Sequence, residues 1–271
     1  MKPPLEKPLP VSSSRPPAFA ADQLAFYREV MELLNREQIA YAVSGAFAFH
    51  HHTGIWRDTK DLDLFLPAAT ASQALAALAA AGFEHEISDP VWLAKVHRGD
   101  YFVDLISGMS NAVLRVEPSW IARAQPCRLF DADTRVLAAE ELLASKLFVL
   151  FRERFDGADM VHILYRTRGR LDWQRVLELV GEHRDLLYAM LVLFHYVYPQ
   201  AAETVPRGVW KMLAGELAQA LEAPRSQPGF RGSLLDENMF AVDVKDWGLP
   251  DALGESRSRP LELIRDLRNA A

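Results

Sequence analysis

The chain has one cysteine, Cys127, in 271 residues. No disulfide can close within it, so the composition points away from a disulfide-stapled secreted fold. Basic excess is missing too: the formal net charge is −6, and a protein whose main task is gripping a phosphate backbone needs a cationic surface. Long apolar runs are also lacking. The longest, Leu186 to Tyr198, is about 13 residues and contains His195, short of the roughly 20 needed to span a bilayer. The first twenty residues hold six of the sixteen prolines and no apolar h-region, which reads as a solvated tail rather than a signal peptide. No repeat recurs at a fixed period. These absences lead to the expectation of a cytoplasmic protein without a membrane partner.

Half of the residues are hydrophobic, ample for a buried core. Apolar periodicity predicts a helix over 21–37, with Asp22 or Ser14 helping to start it. A short strand over 39–43 halts at Ser44-Gly45, and a helix over 46–52 follows. Further strands are predicted at 62–66, 92–97 and 101–106, with an alanine-rich helix at 70–81. A second hairpin pairs 127–130 with 135–137 around Asp131-Ala-Asp133. Beyond Ala139 the pattern is helical: 140–155, 157–166, 172–183, 186–198, 209–221 and 261–269, with 223–233 irregular. The expected class is α+β, with a mixed sheet flanked by helices and then a helical domain. The expected divisions are a Pro-rich tail (1–20), an α/β domain (21–138) and a helical domain with an irregular extension (139–271).

The stretch Thr59-Lys60-Asp61-Leu62-Asp63-Leu64-Phe65-Leu66 carries the chemistry. Side chains alternate in a strand, so Asp61 and Asp63 share one face while Leu62 and Leu64 share the other. Two ionised carboxylates this close repel, and a divalent cation between them removes that cost. Oxygen ligands suit Mg²⁺ or Mn²⁺ rather than zinc. Asp104 lies inside a second apolar strand, Tyr101 to Ile106, where an unpaired charge is expensive. If the two strands are neighbours, three acids converge, as a two-metal phosphoryl or nucleotidyl transfer site requires. Ser44-Gly45 sits where a helix begins. Its amides suit an anionic phosphate, although a plain N-cap explains Ser44 equally.

Taken together, "YAVSGAFAFHHHTGIWRDTKDLDLFL" and "YFVDLI" resemble the DNA polymerase β-type nucleotidyltransferase superfamily, over residues 38–107. The segment "LAAEELLASKLFVLFRERFDGADMVHIL" is similar to the helical part of its bacterial minimal, antibiotic-type and AbiEii-like members. The turn here is Ser-Gly where that superfamily has Gly-Ser or Gly-Gly. The resemblance implies that Asp61 and Asp63 coordinate metal and triphosphate, with Asp104 completing the second metal site and helping to activate the attacking hydroxyl. It implies a Mg²⁺- or Mn²⁺-dependent transfer of NMP from an NTP to an acceptor hydroxyl on a small molecule, a tRNA or a protein. An antitoxin partner would accompany a toxin acting on tRNA. Ser44, Gly45, Lys60 and Lys146 are the expected nucleotide contacts. Lys146 is favoured over Arg57 because it interrupts an apolar helix face and matches the superfamily's helical lysine. The competing function is a nucleotide-binding regulatory or scaffold module without turnover.

Three other features are given ordinary readings. His50-His51-His52 cannot converge on one ion, since consecutive helical residues point about 100° apart, and a frayed helix end is expected there. Asp156 and Asp159 read as acids at a helix start. Cys127 reads as a structural thiol.

Overall fold

The computed structural model describes residues 17–222 and 229–258. The helix expected over 261–269, Ser14 and most of the Pro-rich tail lie outside the described residues. The chain runs α1 (Ala21–Arg36), β1 (Ala42–Val43), α2 (Gly45–Thr53), β2 (Leu62–Phe65), α3 (Ala68–Ala80), β3 (Glu84–Asp89), β4 (Leu93–Arg98), β5 (Tyr101–Ile106), α4 (Pro118–Arg123), β6 (Gln125–Leu129) and β7 (Ala132–Val136). Helices then take over: α5 (Ala139–Lys146), α6 (Gly157–Thr167), α7 (Trp173–Val180), α8 (Arg184–Val197), α9 (Arg207–Glu222), α10 (Ala241–Lys245) and α11 (Ala252–Ser258). No helix among the described residues is long and apolar enough to cross a membrane.

The seven strands form one mixed sheet in the order β3-β4-β5-β2-β1-β7-β6. β2 and β5 are parallel neighbours, with Asp63 opposite Asp104. β4 joins β5 antiparallel, placing Lys95 opposite Asp104. Strand alternation sorts the side chains onto two faces. Leu62, Leu64, Val103 and Leu105 are buried in a core with α1 and α3 residues such as Phe26, Val30, Leu75 and Leu78. Phe65 and Ile106 face the other way, into a core with Leu142, Leu147, Met160 and Leu164 of the helical half. That second core is continuous across residue 139, with helices α5 and α6 packed against α2. Every residue of α5 is buried.

Several elements depart from the sequence expectation. The helix predicted over 140–155 stops at Lys146, and an isolated bridge between Leu150 and Phe155 replaces its second half. β3 and α4 were not predicted, nor were α10 and α11. The β6–β7 turn is centred on Phe130 and Asp131, both with positive φ, one step before the expected Asp131-Ala-Asp133. Asp22 makes no cap but sits in the first turn of α1, where a carboxylate complements the helix dipole.

Candidate active site

Asp61, Asp63 and Asp104 each present a carboxylate oxygen, and these oxygens all lie within 4.8 Å of one another. The clustering follows from the parallel β2–β5 register, with Asp61 two residues before Asp63 on the same face. Asp61 accepts a hydrogen bond from the Thr59 hydroxyl at 2.8 Å. Asp104 Oδ1 accepts one from the Lys95 ammonium at 2.6 Å, and that ammonium also lies over the Phe102 ring at 4.1 Å. Burial pushes the Asp63 carboxyl up to about 7, with the charges of Asp61 and Asp104 adding to it. Burial also raises Asp104, against the opposing pull of Lys95. An all-oxygen donor set in which burial holds Asp63 and Asp104 above their ordinary range fits a hard divalent cation.

The Ser44-Gly45 turn is built against the same carboxylate. The Ser44 amide donates to the Asp63 carbonyl at 2.9 Å, tying the end of β1 to β2. Gly45 has φ +55°, and a Cβ there would stand 1.7 Å from Asp63 Oδ2. Glycine is therefore required twice, by backbone conformation and by the close approach of Asp63. Ser44 occupies the N-cap position of α2, but its hydroxyl makes no capping bond. The capping reading of Ser44 is thus not what the geometry shows.

The opposite wall comes from α5, α6 and the turn between them. The Lys146 ammonium donates to Asp156 at 2.8 Å and to Asp159 at 2.9 Å. Arg57 reaches Asp159 at 2.7 Å, and Arg154 reaches Asp156 at 3.0 Å. Asp156 stands at the N-cap of α6 yet makes no side-chain cap, so its carboxylate serves the lysine and arginine rather than the helix end. Burial alone would raise Asp156. The Arg154 hydrogen bond, with the charge and hydrogen bond of Lys146, holds it below its ordinary range instead.

Between the walls lies a cleft of about 1110 Å³ lined by all the expected site residues: Ser44, Gly45, Lys60, Asp61, Asp63, Asp104 and Lys146. The Lys60 side chain is exposed, while its carbonyl accepts the Tyr27 hydroxyl at 3.0 Å. Trp92, Phe102, Phe148 and Phe151 add an aromatic lining. The three histidines do not converge: His50 stacks on Trp56 at 3.8 Å, and His52 Nε2 meets the Leu137 carbonyl at 2.8 Å. They belong to an intact α2 that runs to Thr53 and ends on Gly54 at φ +74°, not to a frayed end. Sequence reasoning missed two cations, Lys95 and Arg154. The Arg154 charge is felt at Asp63.

Residues 20–199 match the family described as uncharacterised nucleotidyltransferase. The chain belongs to that family, and so to the nucleotidyl-transferring enzymes. No curated protein matches it. Among solved structures it is similar to an antigenic nucleotidyltransferase-like protein from Paracoccidioides brasiliensis, at 17% identity and TM-score 0.41, covering 69% of this chain and 95% of that one. It is also similar to a lincosamide antibiotic adenylyltransferase in its lincomycin-bound form, at 14% identity and TM-score 0.38, covering 54% and 98%. A tRNA-processing enzyme is similar at 15% identity and TM-score 0.32, covering 94% and 79%. Likeness at this level identifies no substrate.

Proposed function

We propose that the chain transfers NMP from an NTP to an acceptor hydroxyl in a reaction that depends on Mg²⁺ or Mn²⁺. The observation that carries this reading is the convergence of Asp61, Asp63 and Asp104 in an open cleft with too little positive charge of their own. Asp61 and Asp63 would hold the cation together with the triphosphate, and Asp104 would complete the set. When bound, the cation supplies charge stabilisation to the attacking and leaving oxygens of an in-line displacement. Asp104 would help take the proton of the acceptor hydroxyl. The amide of Gly45, at the start of α2, offers a donor and a favourable dipole to a phosphate oxygen. The exposed side chain of Lys60 would turn toward the triphosphate, and the Arg154 charge, held on Asp156, would add to the positive potential there. Lys146, in the helical wall of the cleft, would hold Asp156 and Asp159 so that these carboxylates do not repel the nucleotide. The acceptor class follows from none of this, and a small molecule, a tRNA end or a protein hydroxyl all fit the chemistry.

The test is transfer of label from α-³²P NTP to an acceptor panel, in Mg²⁺ or Mn²⁺, by the full chain. Label should appear in an acceptor and vanish with Asp63→Ala. Failure with all four NTPs and a broad panel would overturn the reading.

A further inference from the structure

We infer that Lys95 is a positioning residue that sets the charge of the cation site, keeping it weak for a metal ion alone. This rests on the reading of Asp61, Asp63 and Asp104 as cation ligands. Lys95, Asp104 and Asp63 stand in one row across three adjacent strands, Lys95 opposite Asp104 on β4 and Asp104 opposite Asp63 on β2. Once ionised, three carboxylates with one ammonium against them leave two negative charges, the number that one divalent cation neutralises. Lys95 takes Oδ1 of Asp104 at 2.6 Å, and no donor among the described residues reaches Oδ2. One oxygen is thus held and the other left for a ligand. The Phe102 ring at 4.1 Å restricts the ammonium to this position by a cation–π contact. The Lys95 side chain is 22% exposed and that of Asp104 12%, so solvent screens the pair only in part. An ammonium this near a cation site repels the arriving metal, and the negative charge of a bound nucleotide's phosphates adds an attraction that outweighs this repulsion. The site would therefore load with metal and nucleotide together.

The experiment titrates Mn²⁺ alone into metal-free full-length protein, followed by electron paramagnetic resonance, for the wild type and for Lys95→Met, Lys95→Gln and Lys95→Arg. Loss of the ammonium should tighten Mn²⁺ binding by about tenfold or more, in whichever of the two neutral variants is better folded. Lys95→Arg should stay within about twofold of the wild type, because charge is kept. A purely structural lysine would lower the thermal midpoint in the neutral variants without tightening Mn²⁺ binding. Unchanged or weaker Mn²⁺ affinity in both neutral variants overturns the inference and leaves the proposed function standing. Mn²⁺ binding that survives Asp63→Asn in an otherwise wild-type chain overturns both.

Discussion

The two walls of the cleft carry the same kinds of side chain in opposite balance. Asp104 on the sheet wall and Asp156 on the helical wall are equally buried, each 8% exposed. Yet Asp104 is held above its ordinary carboxylate range and Asp156 below it. Burial is the largest influence on each and acts in the same direction, so counter-charge decides the difference. The helical wall sets Lys146, Arg57 and Arg154 against two carboxylates, whereas the sheet wall sets Lys95 against three. One wall is electrostatically complete and the other is not. An incomplete carboxylate cluster in a cleft is where a functional cation belongs.

The comparison breaks most visibly at Asp63. Asp63→Asn should cut nucleotidyl transfer by about a thousandfold. It should also raise the thermal midpoint of the metal-free protein, because a repelled carboxylate has been removed. A fall in that midpoint would mean the sheet wall is as satisfied as the helical one. On the helical wall the corresponding change has the opposite sign. Lys146→Met leaves Asp156 and Asp159 with less positive charge in a place where Lys146 is only 6% exposed. Removing one partner of a buried pair costs about 3 kcal/mol or more. Urea denaturation of metal-free protein measures it, and a variant as stable as the wild type would show that this network holds nothing together.

Gly45→Ala sharpens the link between the turn and the acids. The new Cβ would have to displace Asp63, and a misplacement of about 1 Å at a reacting centre costs about a hundredfold in rate. The positive φ adds about 1–2 kcal/mol of backbone strain. Transfer kinetics and unfolding on the same variant separate the two effects. A loss of stability alone would show that Asp63 has room to move.

Much of the sheet wall was legible in the chain, because alternation in a strand is a local property. Leu62-Asp63-Leu64 and Val103-Asp104-Leu105 announce one apolar and one acidic face without any knowledge of neighbours. That the two acidic faces meet depends on β2 and β5 being parallel and adjacent, and no local pattern encodes this. The superfamily resemblance supplied it as an expectation. Lys95 was invisible for the same reason: in "LAKVHR" it reads as the polar half of an alternating strand, and only the β4–β5 register sets it against Asp104. Asp156 and Asp159 misled in another way. Acids at i and i+3 at a helix start are the pattern of capping, and the lysine that takes them lies ten and thirteen residues away. The edge strand β3, Glu84–Asp89, is exposed or half-buried throughout, so no buried face left a periodic trace.

The last contrast is in pH, and it is the smallest because many groups share it. Asp63 titrates near 7 in the folded chain against an ordinary 3.8, so from about pH 4 to about pH 7 the folded state holds a proton that the unfolded state has released. Stability from that proton is complete below the lower value and is lost as pH rises through the upper one. Asp156 lies below its ordinary value when folded. Its contribution is therefore present above about pH 4 and is lost as the medium becomes more acid. His50, His52, His162 and His183, all lowered by burial first, oppose the Asp63 slope, since each must take up a proton against its surroundings as pH falls. The informative quantity is thus a difference of thermal midpoints between wild type and variant in chelator. Asp63→Asn should gain on the wild type as pH rises from 5 to 8, and saturating Mn²⁺ should abolish that gain by stabilising only the wild type. Asp156→Asn should instead lose to the wild type near neutral pH, by a margin that narrows below about pH 4. Parallel pH curves for wild type and Asp63→Asn would show that the sheet wall finds its counter-charge within the protein, and the asymmetry between the walls would disappear.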